Sequence, residues 1–428
     1  MSENKLSTDA YKGVRDFYPE DMAVERYIFD TWAKTAESFG FERYDASILE
    51  PSDLYKAKGA ENEEMVNEQT YTFTDRGDRE VTLRPEMTPT VARMVAGRRR
   101  ELQFPLRWYS IPNLFRYERP QRGRLREHWQ LNCDIFGVDH YTADIEIILL
   151  ANKIFTAFGA DQKNFTTFIN HRELLVKAIA GSALEIGIKL SDLQIRDIIR
   201  LNDRRGKLQD IEFNERFGEI VGPEKNEALL EQLSSEKVAA YSKKLPEFEY
   251  LVKIGAGLKQ MNIETELDID LARGFDYYTG TIFEVFETDA QGNKVGRAML
   301  GGGRYDNLAQ MFSNEPISGV GFGMGDVTMR DFLETHNLLP KDVHSTTADV
   351  VVIPMTADQN LYAQIAAEHI RRLGKSASTD ISTKKVGDKI SRAAAKGAKF
   401  VTVIGENEMT SDQLTFKNLE TGEETSSL

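Results

Sequence analysis

The stretch LRWYSIPNLFRYERPQRGRLREHWQLNCDIFGV, residues 106–138, contains two strand-like runs joined by a loop around Pro120 and Gly123. Two strands in direct succession predict an antiparallel hairpin. Its tip, residues 116–126, carries five arginines against one glutamate. Guanidinium groups suit phosphate oxygens, and a glycine-containing loop can fold over a nucleotide. Taken alone, the tip fits a nucleotide site and a solvated surface about equally well.

The outgoing strand of this hairpin favours a binding role. Gln130, Asn132 and Asp134 lie at even spacing, so their side chains share one face of the strand. A polar face of this kind indicates a surface that contacts something other than the core. Cys133 points the opposite way, and we expect it to be a core residue rather than a nucleophile.

The bulk composition is that of a globular protein. The chain has 428 residues, 41% of them hydrophobic, and this length predicts two or three domains. A single cysteine excludes an internal disulfide and fits a reducing compartment. No apolar run is long enough to span a membrane, and the first residues lack the basic and apolar regions of a secretory signal. We therefore expect a cytoplasmic protein without membrane contact.

The net charge of −14 would disfavour a nucleic acid partner if it were evenly spread, but residues 381–400 hold six cations against Asp388 alone. Five of these cations recur at steps of four, three, four and three, which predicts a stripe along one helix face. The stripe comprises Lys385, Lys389, Arg392, Lys396 and Lys399. It is either a solvated face or a contact for RNA phosphates.

Along the chain, strand and helix patterns alternate with one helical block. Residues 70–85 read as strand and lead through Glu86 to a helix for which Thr88 and Pro89 are a good N-cap and first-turn pair. Residues 172–260 predict only helices. Beyond residue 345, strand, helix and strand follow one another, which predicts a small α/β domain with a parallel sheet.

Two further segments suggest a ligand pocket. In LARGFDYYTGTIFEVF, residues 271–286, Gly274 stands where strands usually avoid glycine, which places Arg273 beside a close backbone or ligand contact. The run Gly301 to Gly303 is either a turn or space for a small ligand. The sequence has no Walker loop, zinc-site spacing or nucleophile triad.

Together these segments resemble the histidyl-tRNA synthetase family of class II aminoacyl-tRNA synthetases over essentially the whole chain. The matching pieces, in order, are KGVRDFYP, TLRPEMT, FRYERPQRGRLREHWQLNCDIFGVD, RGFDYYTG, GGGRYD and GVGFGMG. The resemblance implies an α+β fold with an active site on a six- or seven-stranded antiparallel sheet, a homodimer, a helical insertion and a C-terminal α/β anticodon-binding domain. The expected boundaries are 1–171 and 261–340 for the core, 172–260 for the insertion and 345–428 for the last domain.

The resemblance also implies the reaction and its participants. Histidine and ATP would give histidyl-adenylate and pyrophosphate, and the histidyl group would then move to the 3' end of histidine tRNA. Magnesium would accompany ATP, and no protein-bound metal is implied.

The resemblance assigns roles to individual residues of the site. Arg116 and Arg273 match two arginines on the α-phosphate. Glu86, Thr88 and Gln130 match the residues that hold the α-amino group, and Asp134 with Tyr278 matches the pair on the imidazole ring. Further assignments are Tyr277 and Gly302 to histidine, Arg124 and His128 to ATP, and Arg122, Lys385, Lys389 and Arg392 to tRNA.

The sequence departs from the family pattern at three points, one of which is His128, which stands where an aromatic residue often stacks on adenine. Where the family commonly reads GLERL or GLDRL, this chain reads GDVTM, so Thr328 takes the place of an ATP-binding arginine. Arg330 is a candidate substitute, but two residues along a helix rotate it by about 200°. Ser47 stands where the dimer motif commonly has proline.

Two other interpretations compete with the ligase. A histidine-sensing regulatory subunit of ATP phosphoribosyltransferase shares the synthetase core, but such relatives typically lose the histidine-specific arginine and the C-terminal domain. This chain keeps Arg273 and about 80 C-terminal residues. A non-catalytic RNA-binding module would explain the basic segments but not Glu86, Gln130 and Asp134. The sequence therefore favours the enzyme.

Overall fold

A computed structural model describes residues 6–56, 69–205, 208–269, 271, 277–312, 315–340, 348–411 and 413–427. The chain divides into two compact units, one formed by Met1–Asp16 and Ile28–Leu339, the other by Phe17–Tyr27 and Pro340–Leu428. Each unit has its own sheet and its own hydrophobic clusters. Within the described ranges, every helix is too short or too polar to cross a bilayer.

The first unit is built on a large sheet to which nine of the described strands belong. These strands are β1 (Glu42–Arg43), β5 (Leu106–Ser110), β6 (Asn113–Phe115), β7 (Glu127–Phe136), β8 (Phe165–His171), β9 (Thr265–Leu267), β10 (Thr281–Thr288), β11 (Lys294–Arg304) and β12 (Gly319–Gly325). Their order is β1-β5-β7-β12-β11-β10-β8-β9, with β6 also on β7.

The predicted antiparallel sheet is confirmed for its centre, where the strands from β5 to β8 pair antiparallel. The whole sheet is mixed, because β1 and β9 join its two edges in parallel pairing. A second, three-stranded sheet contains β2 (Leu49–Pro51), β4 (Glu80–Leu83) and β3 (Tyr71–Thr74), in that order. The segment after α1 thus supplies two short strands, β1 and β2, to different sheets.

The arginine-rich hairpin forms with one difference from the expectation. Its incoming strand is not continuous, because it breaks at Ile111 and Pro112 into β5 and β6, which both pair antiparallel with β7. Proline has no backbone N–H to donate to a ladder, so a break at this point is expected. The Pro112 carbonyl still accepts from the Gln130 N–H at 3.0 Å, which keeps the two halves of the incoming strand on β7.

Helices cover the sheet and fill the predicted insertion. In the first unit they are α2 (Asp53–Lys56), α3 (Thr88–Gly97), α4 (Tyr141–Ala157), α5 (Arg172–Glu185), α6 (Asp192–Asp203), α7 (Asp210–Val221), α8 (Pro223–Gln232), α9 (Ser235–Ser242), α10 (Pro246–Gln260) and α11 (Asp326–Thr335), while α1 (Pro19–Ser38) contributes to both units. The all-helical prediction for residues 172–260 is confirmed by α5 to α10. These helices share a buried core that includes Ile198, Phe213 and Phe217.

Helix α3 packs firmly against the large sheet. Val91, Ala92 and Val95 of this helix are fully buried and pack in one cluster with Phe136 and Ile282 of the large sheet. Full burial of a valine or a larger apolar side chain stabilises the fold by about 1.5–3 kcal/mol.

The start of α3 differs from the expectation. The helix begins at Thr88 with Met87 as its N-cap, and no side chain caps it. The predicted capping role of Thr88 is therefore wrong, because Thr88 already lies within the first turn.

The second unit confirms the predicted parallel arrangement and extends it. β13 (Val350–Pro354) pairs in parallel with β14 (Ala377–Thr379) and β15 (Phe400–Ile404), while β16 (Phe416–Asn418) and β17 (Glu424–Thr425) continue the sheet antiparallel. The helices of this unit are α12 (Asn360–Arg372), α13 (Val386–Ala395) and α14 (Glu406–Ser411).

Candidate active site

A small polar pocket of about 80 Å³ lies on the face of the large sheet, beside the start of α3. Its walls come from β7, β11, β12, the β4–α3 junction and the segment before β10. The lining residues are Glu86, Thr88, Arg116, Gln130, Asn132, Tyr277, Tyr278, Gly301, Tyr305, Gly321, Phe322 and Gly323. Six residues expected from the sequence to share a site are thus brought together: Glu86, Thr88, Arg116, Gln130, Tyr277 and Tyr278.

At one wall, Glu86 provides a buried carboxylate. It follows β4 and precedes α3, and its side chain is only 3% exposed. The Tyr277 hydroxyl donates a hydrogen bond to Glu86 Oε2 at 3.2 Å. A buried carboxylate needs a compensating donor or cation, so this wall suits a ligand that carries an ammonium group.

The floor includes Gln130 and Asn132, from the polar face of β7 predicted from even spacing. Gln130, Asn132 and Asp134 lie opposite three glycines of β12 in the ladder. A Cβ on Gly323 would come within 2.8 Å of the Gln130 amide, and one on Gly321 within 2.2 Å of Asp134 Oδ1. Because β12 has glycines at these positions, no side chain of β12 covers the polar groups of β7.

Asp134, the third of these residues, is 3% exposed and is not itself on the pocket wall, which it meets through Tyr305. Tyr305 donates a hydrogen bond to its Oδ1, whereas Oδ2 has no hydrogen-bond partner among the described residues. Burial raises the pKa of Asp134 to about 7, and the Tyr305 hydrogen bond opposes that rise. A carboxyl group in this state can either accept from or donate to a polar ring placed above it.

Arg116 also lines the pocket and brings a guanidinium to it. It follows β6, and its Nε donates to the Pro85 carbonyl at 2.8 Å, which ties it to the segment that carries Glu86. Its backbone N–H donates to the Arg126 carbonyl at 2.9 Å, so the two arms of the hairpin hold it in place. A fixed guanidinium beside a pocket is suited to an anionic group such as phosphate.

His128 lies on β7 beside this guanidinium. Burial and the charges of Arg116, Arg15 and Arg124 lower the pKa of His128 to about 3. Its ring is therefore neutral at pH 7, and it lies in a strongly electropositive part of the molecule. Arg124 forms an ion pair with Glu118, with 2.5 Å between Nε and Oε2.

Several expected residues are placed differently. Arg273 lies outside the described residues. Gly302 is adjacent to the pocket rather than on its wall, because a Cβ there would meet the Gly321 carbonyl and the Phe283 ring. Arg122 is at the exposed hairpin tip, with its Nε 3.7 Å from Asp331 Oδ2. Cys133 is fully buried, and burial raises the pKa of its thiol, as expected for a core residue.

Sequence reasoning missed Tyr305 and the two β12 glycines, Gly321 and Gly323. Tyr305 could have been found from alternation, because residues 301, 303 and 305 share one face of an extended strand. The glycines could not, since their importance depends on β12 pairing with β7, a contact between segments far apart in sequence.

The predicted basic stripe of the second unit does not form as one exposed surface. Lys389 is 4% exposed, and its Nζ donates to the Pro354 carbonyl at 3.1 Å. Arg392 donates to Asp380 and Ser382, and Lys399 pairs with Asp349 at 2.8 Å. The expected phosphate contact by Lys389 is wrong, because its side chain packs inward and serves the sheet. In the described part of the chain, no group of three or more His, Cys, Asp or Glu side chains could hold a metal ion.

Comparisons with known proteins agree with one another. The family model described as histidyl-tRNA synthetase matches residues 13–326, and one described as an anticodon binding domain matches residues 349–427. A histidine–tRNA ligase of Leptospira biflexa is 42% identical over 98% of this chain and 95% of its own length. One of Thermoplasma volcanium is 35% identical over 98% and 96%. The crystal structure of histidyl-tRNA synthetase from Nostoc sp. PCC 7120 matches with a TM-score of 0.73 and 22% identity, over 98% of this chain and 97% of that one, which shows a shared fold.

Proposed function

This chain belongs to the histidyl-tRNA synthetase family, and on that premise we propose that its polar pocket holds histidine while ATP activates it. It is an ATP-dependent histidine–tRNA ligase with a class II synthetase fold and a C-terminal anticodon-binding domain. One observation carries the assignment of the pocket: Glu86, Arg116 and Tyr305 line the same small space, and Tyr305 donates a hydrogen bond to the buried Asp134 behind it. The ammonium group of the substrate, its carboxyl group that ATP activates and its polar ring would then each have a partner among these residues.

The amino-acid end of the substrate is oriented by the α3 junction. The Glu86 carboxylate and the Tyr277 hydroxyl, which already share a hydrogen bond, accept the α-ammonium group together with Gln130 from β7. Thr88 adds a hydroxyl from the first turn of α3. An ammonium group offers three donors to these oxygen acceptors, so the wall selects for a free α-amino group.

The imidazole ring of the substrate lies toward Asp134 and Tyr278. A neutral imidazole has one donor and one acceptor nitrogen. The Asp134 oxygen that lacks a partner takes the N–H, and a tyrosine hydroxyl serves the other nitrogen. Apolar analogues would leave both buried groups unpaired, which is the strongest way for a pocket to reject them.

Activation takes place at the Arg116 side. The carboxylate of histidine attacks the α-phosphorus of ATP, its oxygen forms the new P–O bond, and pyrophosphate leaves with the bonding electrons. Arg116 stabilises the charge that develops on the phosphoryl oxygens, with Arg273 as its expected second arginine. The neutral His128 ring stacks on adenine, and Arg124 contacts the leaving phosphates.

Magnesium belongs to the nucleotide in this proposal. Mg²⁺ is bound mainly by phosphate oxygens and water, with one or two carboxylates from the protein. Glu127, on β7 next to His128, offers such a carboxylate, and its Oε1 accepts from the Asn113 amide at 3.0 Å. The ion would neutralise phosphate charge during the displacement.

The tRNA contacts are proposed for Arg122, Lys385 and Arg392. Arg122 is 83% exposed in a long ion pair, and screened pairs of this kind are weak, so its charge is available to a phosphate. Lys385 and Arg392 in the second unit are proposed on the family pattern. Assembly as a homodimer and a cytoplasmic location belong to the same proposal, supported by family membership.

The test is ATP–pyrophosphate exchange with and without histidine, followed by charging of histidine tRNA. We expect exchange that depends on histidine and charging that depends on tRNA. Histidine binding without exchange would instead favour a regulatory role, and RNA binding without either would favour a non-catalytic module.

A further inference from the structure

The position at which the family commonly carries an ATP-binding arginine is occupied by Thr328 on α11. The Thr328 hydroxyl bonds to two backbone carbonyls, Met299 O at 3.3 Å and Gly325 O at 3.2 Å. A Cβ on Gly123, at the tip of the arginine-rich hairpin, would lie 3.5 Å from the Thr328 methyl group. Thr328 thus lies between the hairpin tip and β11, and its short side chain brings no charge there.

Arg330 does not make up for this loss. Two residues along α11 turn its side chain by about 200° from Thr328. Its Nε donates to Glu334 Oε1 at 3.0 Å, one turn further along the same helix. Arg330 is therefore engaged on a different face from the one that meets the hairpin tip.

Arg15 is also engaged elsewhere. Its guanidinium donates to Asp326 Oδ2, and Asp326 Oδ1 accepts the Trp129 N–H at 2.9 Å. Asp326 is fully buried, so loss of the Arg15 partner would leave an uncompensated carboxylate. Arg15 has a structural task at the start of α11.

Arg297 is a cation of β11 close to the Thr328 contact. It lies on β11 two residues before Met299, whose carbonyl holds Thr328, and four residues before Gly301, which lines the pocket. The Arg297 side chain is exposed. Partial burial lowers the pKa of Arg297, the charge of Arg124 lowers it further, and the charge of Glu118 raises it.

The balance of charge at this point favours an anion. Glu118 is the carboxylate that attracts Arg297, yet Arg124 already forms an ion pair with it. The carboxylate that would compensate Arg297 is thus already paired, while the charge of Arg124 disfavours a second guanidinium beside it. A polyphosphate removes this repulsion by giving each arginine its own oxygens.

We propose that Arg297 supplies from β11 the cation for the ATP polyphosphate that Thr328 does not supply from α11. This inference rests on the proposed function, since it needs ATP in the site beside Arg116 and Arg124. The phosphate-binding arginine of this chain would then come from strand β11 instead of helix α11, and it would still lie beside the hairpin tip.

The test measures KM for ATP and for histidine in pyrophosphate exchange. We expect Arg297→Ala to raise the KM for ATP about 10- to 100-fold, the usual effect of losing a hydrogen bond to a charged group, and to change the KM for histidine less than about twofold. Arg297→Lys should recover part of the loss, because it keeps the charge but not the fork. The matched control is Arg330→Ala on α11, for which both values should stay unchanged.

A second experiment restores the arginine that is common in the family at the position of Thr328. In the Arg297→Ala background, Thr328→Arg should restore most of the lost ATP affinity, because an arginine then returns to the same space from α11. An unchanged KM for ATP in Arg297→Ala, or no rescue by Thr328→Arg, would overturn the inference. If the unaltered protein shows no exchange at all, the proposed function fails instead, so the two failures are distinguishable.

Discussion

Gly321 lies directly opposite Asp134 in the β7–β12 ladder, so close that a Cβ on Gly321 would come within 2.2 Å of Asp134 Oδ1. The contact leaves no room for a side chain between the strand and the carboxylate that we propose for the imidazole ring. The position of the Asp134 carboxylate therefore depends on the absence of a side chain at Gly321.

Gly321→Ala should raise the KM for histidine in exchange by at least tenfold, because the methyl group must displace Asp134 or push β12 away. Overpacking of this kind also costs about 1–3 kcal/mol of stability. The matched control is Gly387→Ala in α13, where a Cβ would meet nothing within 4 Å and alanine should stabilise the helix by up to about 1 kcal/mol. A Gly321→Ala protein with normal histidine KM and unchanged stability would show that the floor is not tight.

The raised pKa of Asp134 predicts how stability depends on pH. Between the ordinary value of 3.8 and about 7, the folded protein holds a proton on Asp134 that the unfolded chain has lost. The free energy of unfolding should therefore fall as pH rises through this window, by up to about 1.4 kcal/mol per pH unit, and the effect should level off above pH 7.

The measurement is urea unfolding of the ligand-free protein at several pH values, compared with Asp134→Asn. The difference between the two proteins should carry this slope, because asparagine cannot titrate. Tyr305→Phe should move the window to higher pH, since the Tyr305 hydrogen bond lowers the pKa of Asp134. Parallel curves for the unaltered protein and Asp134→Asn would mean that Asp134 titrates normally.

Arg116→Lys separates chemistry from binding. Lysine keeps the charge but loses the planar fork, so we expect kcat for exchange to fall about 10²- to 10³-fold, as when one donor to a developing charge is removed. Histidine binding, measured by calorimetry without ATP, should change little. Arg79→Ala is the control: Arg79 is 78% exposed in a surface pair with Asp75, and its loss should leave both values intact. An equal loss of histidine binding and kcat in Arg116→Lys would point to general damage of the pocket.

Local periodicity predicted the parts of the site that lie within one element. The shared face of Gln130, Asn132 and Asp134 followed from the two-residue repeat of a strand, and the position of Glu86 followed from the change of pattern between β4 and α3. The contributions of Tyr305 and Gly321 needed the order of strands in the sheet, which places β12 between β7 and β11. No local pattern encodes that order.

The basic stripe shows the opposite error. Steps of four and three residues do place Lys389 and Arg392 along one side of α13, but they cannot tell which side faces the sheet. The aliphatic stem of lysine packs readily against apolar surface while its ammonium group finds a carbonyl, here that of Pro354. Part of the cationic pattern in the sequence therefore belongs to the packed interior and not to the exposed surface.

Discrimination between histidine and β-(2-thienyl)alanine measures the proposed pocket most directly. The thiophene ring has nearly the shape of imidazole but neither of its nitrogen donor and acceptor groups. If Asp134 and a tyrosine hydroxyl bind the ring, kcat/KM for exchange should favour histidine by about 10⁴-fold or more, because both buried groups are left unpaired by the analogue. A preference of about 10²-fold or less, the range of a pocket that reads shape alone, would contradict the assignment of Asp134 to the imidazole ring.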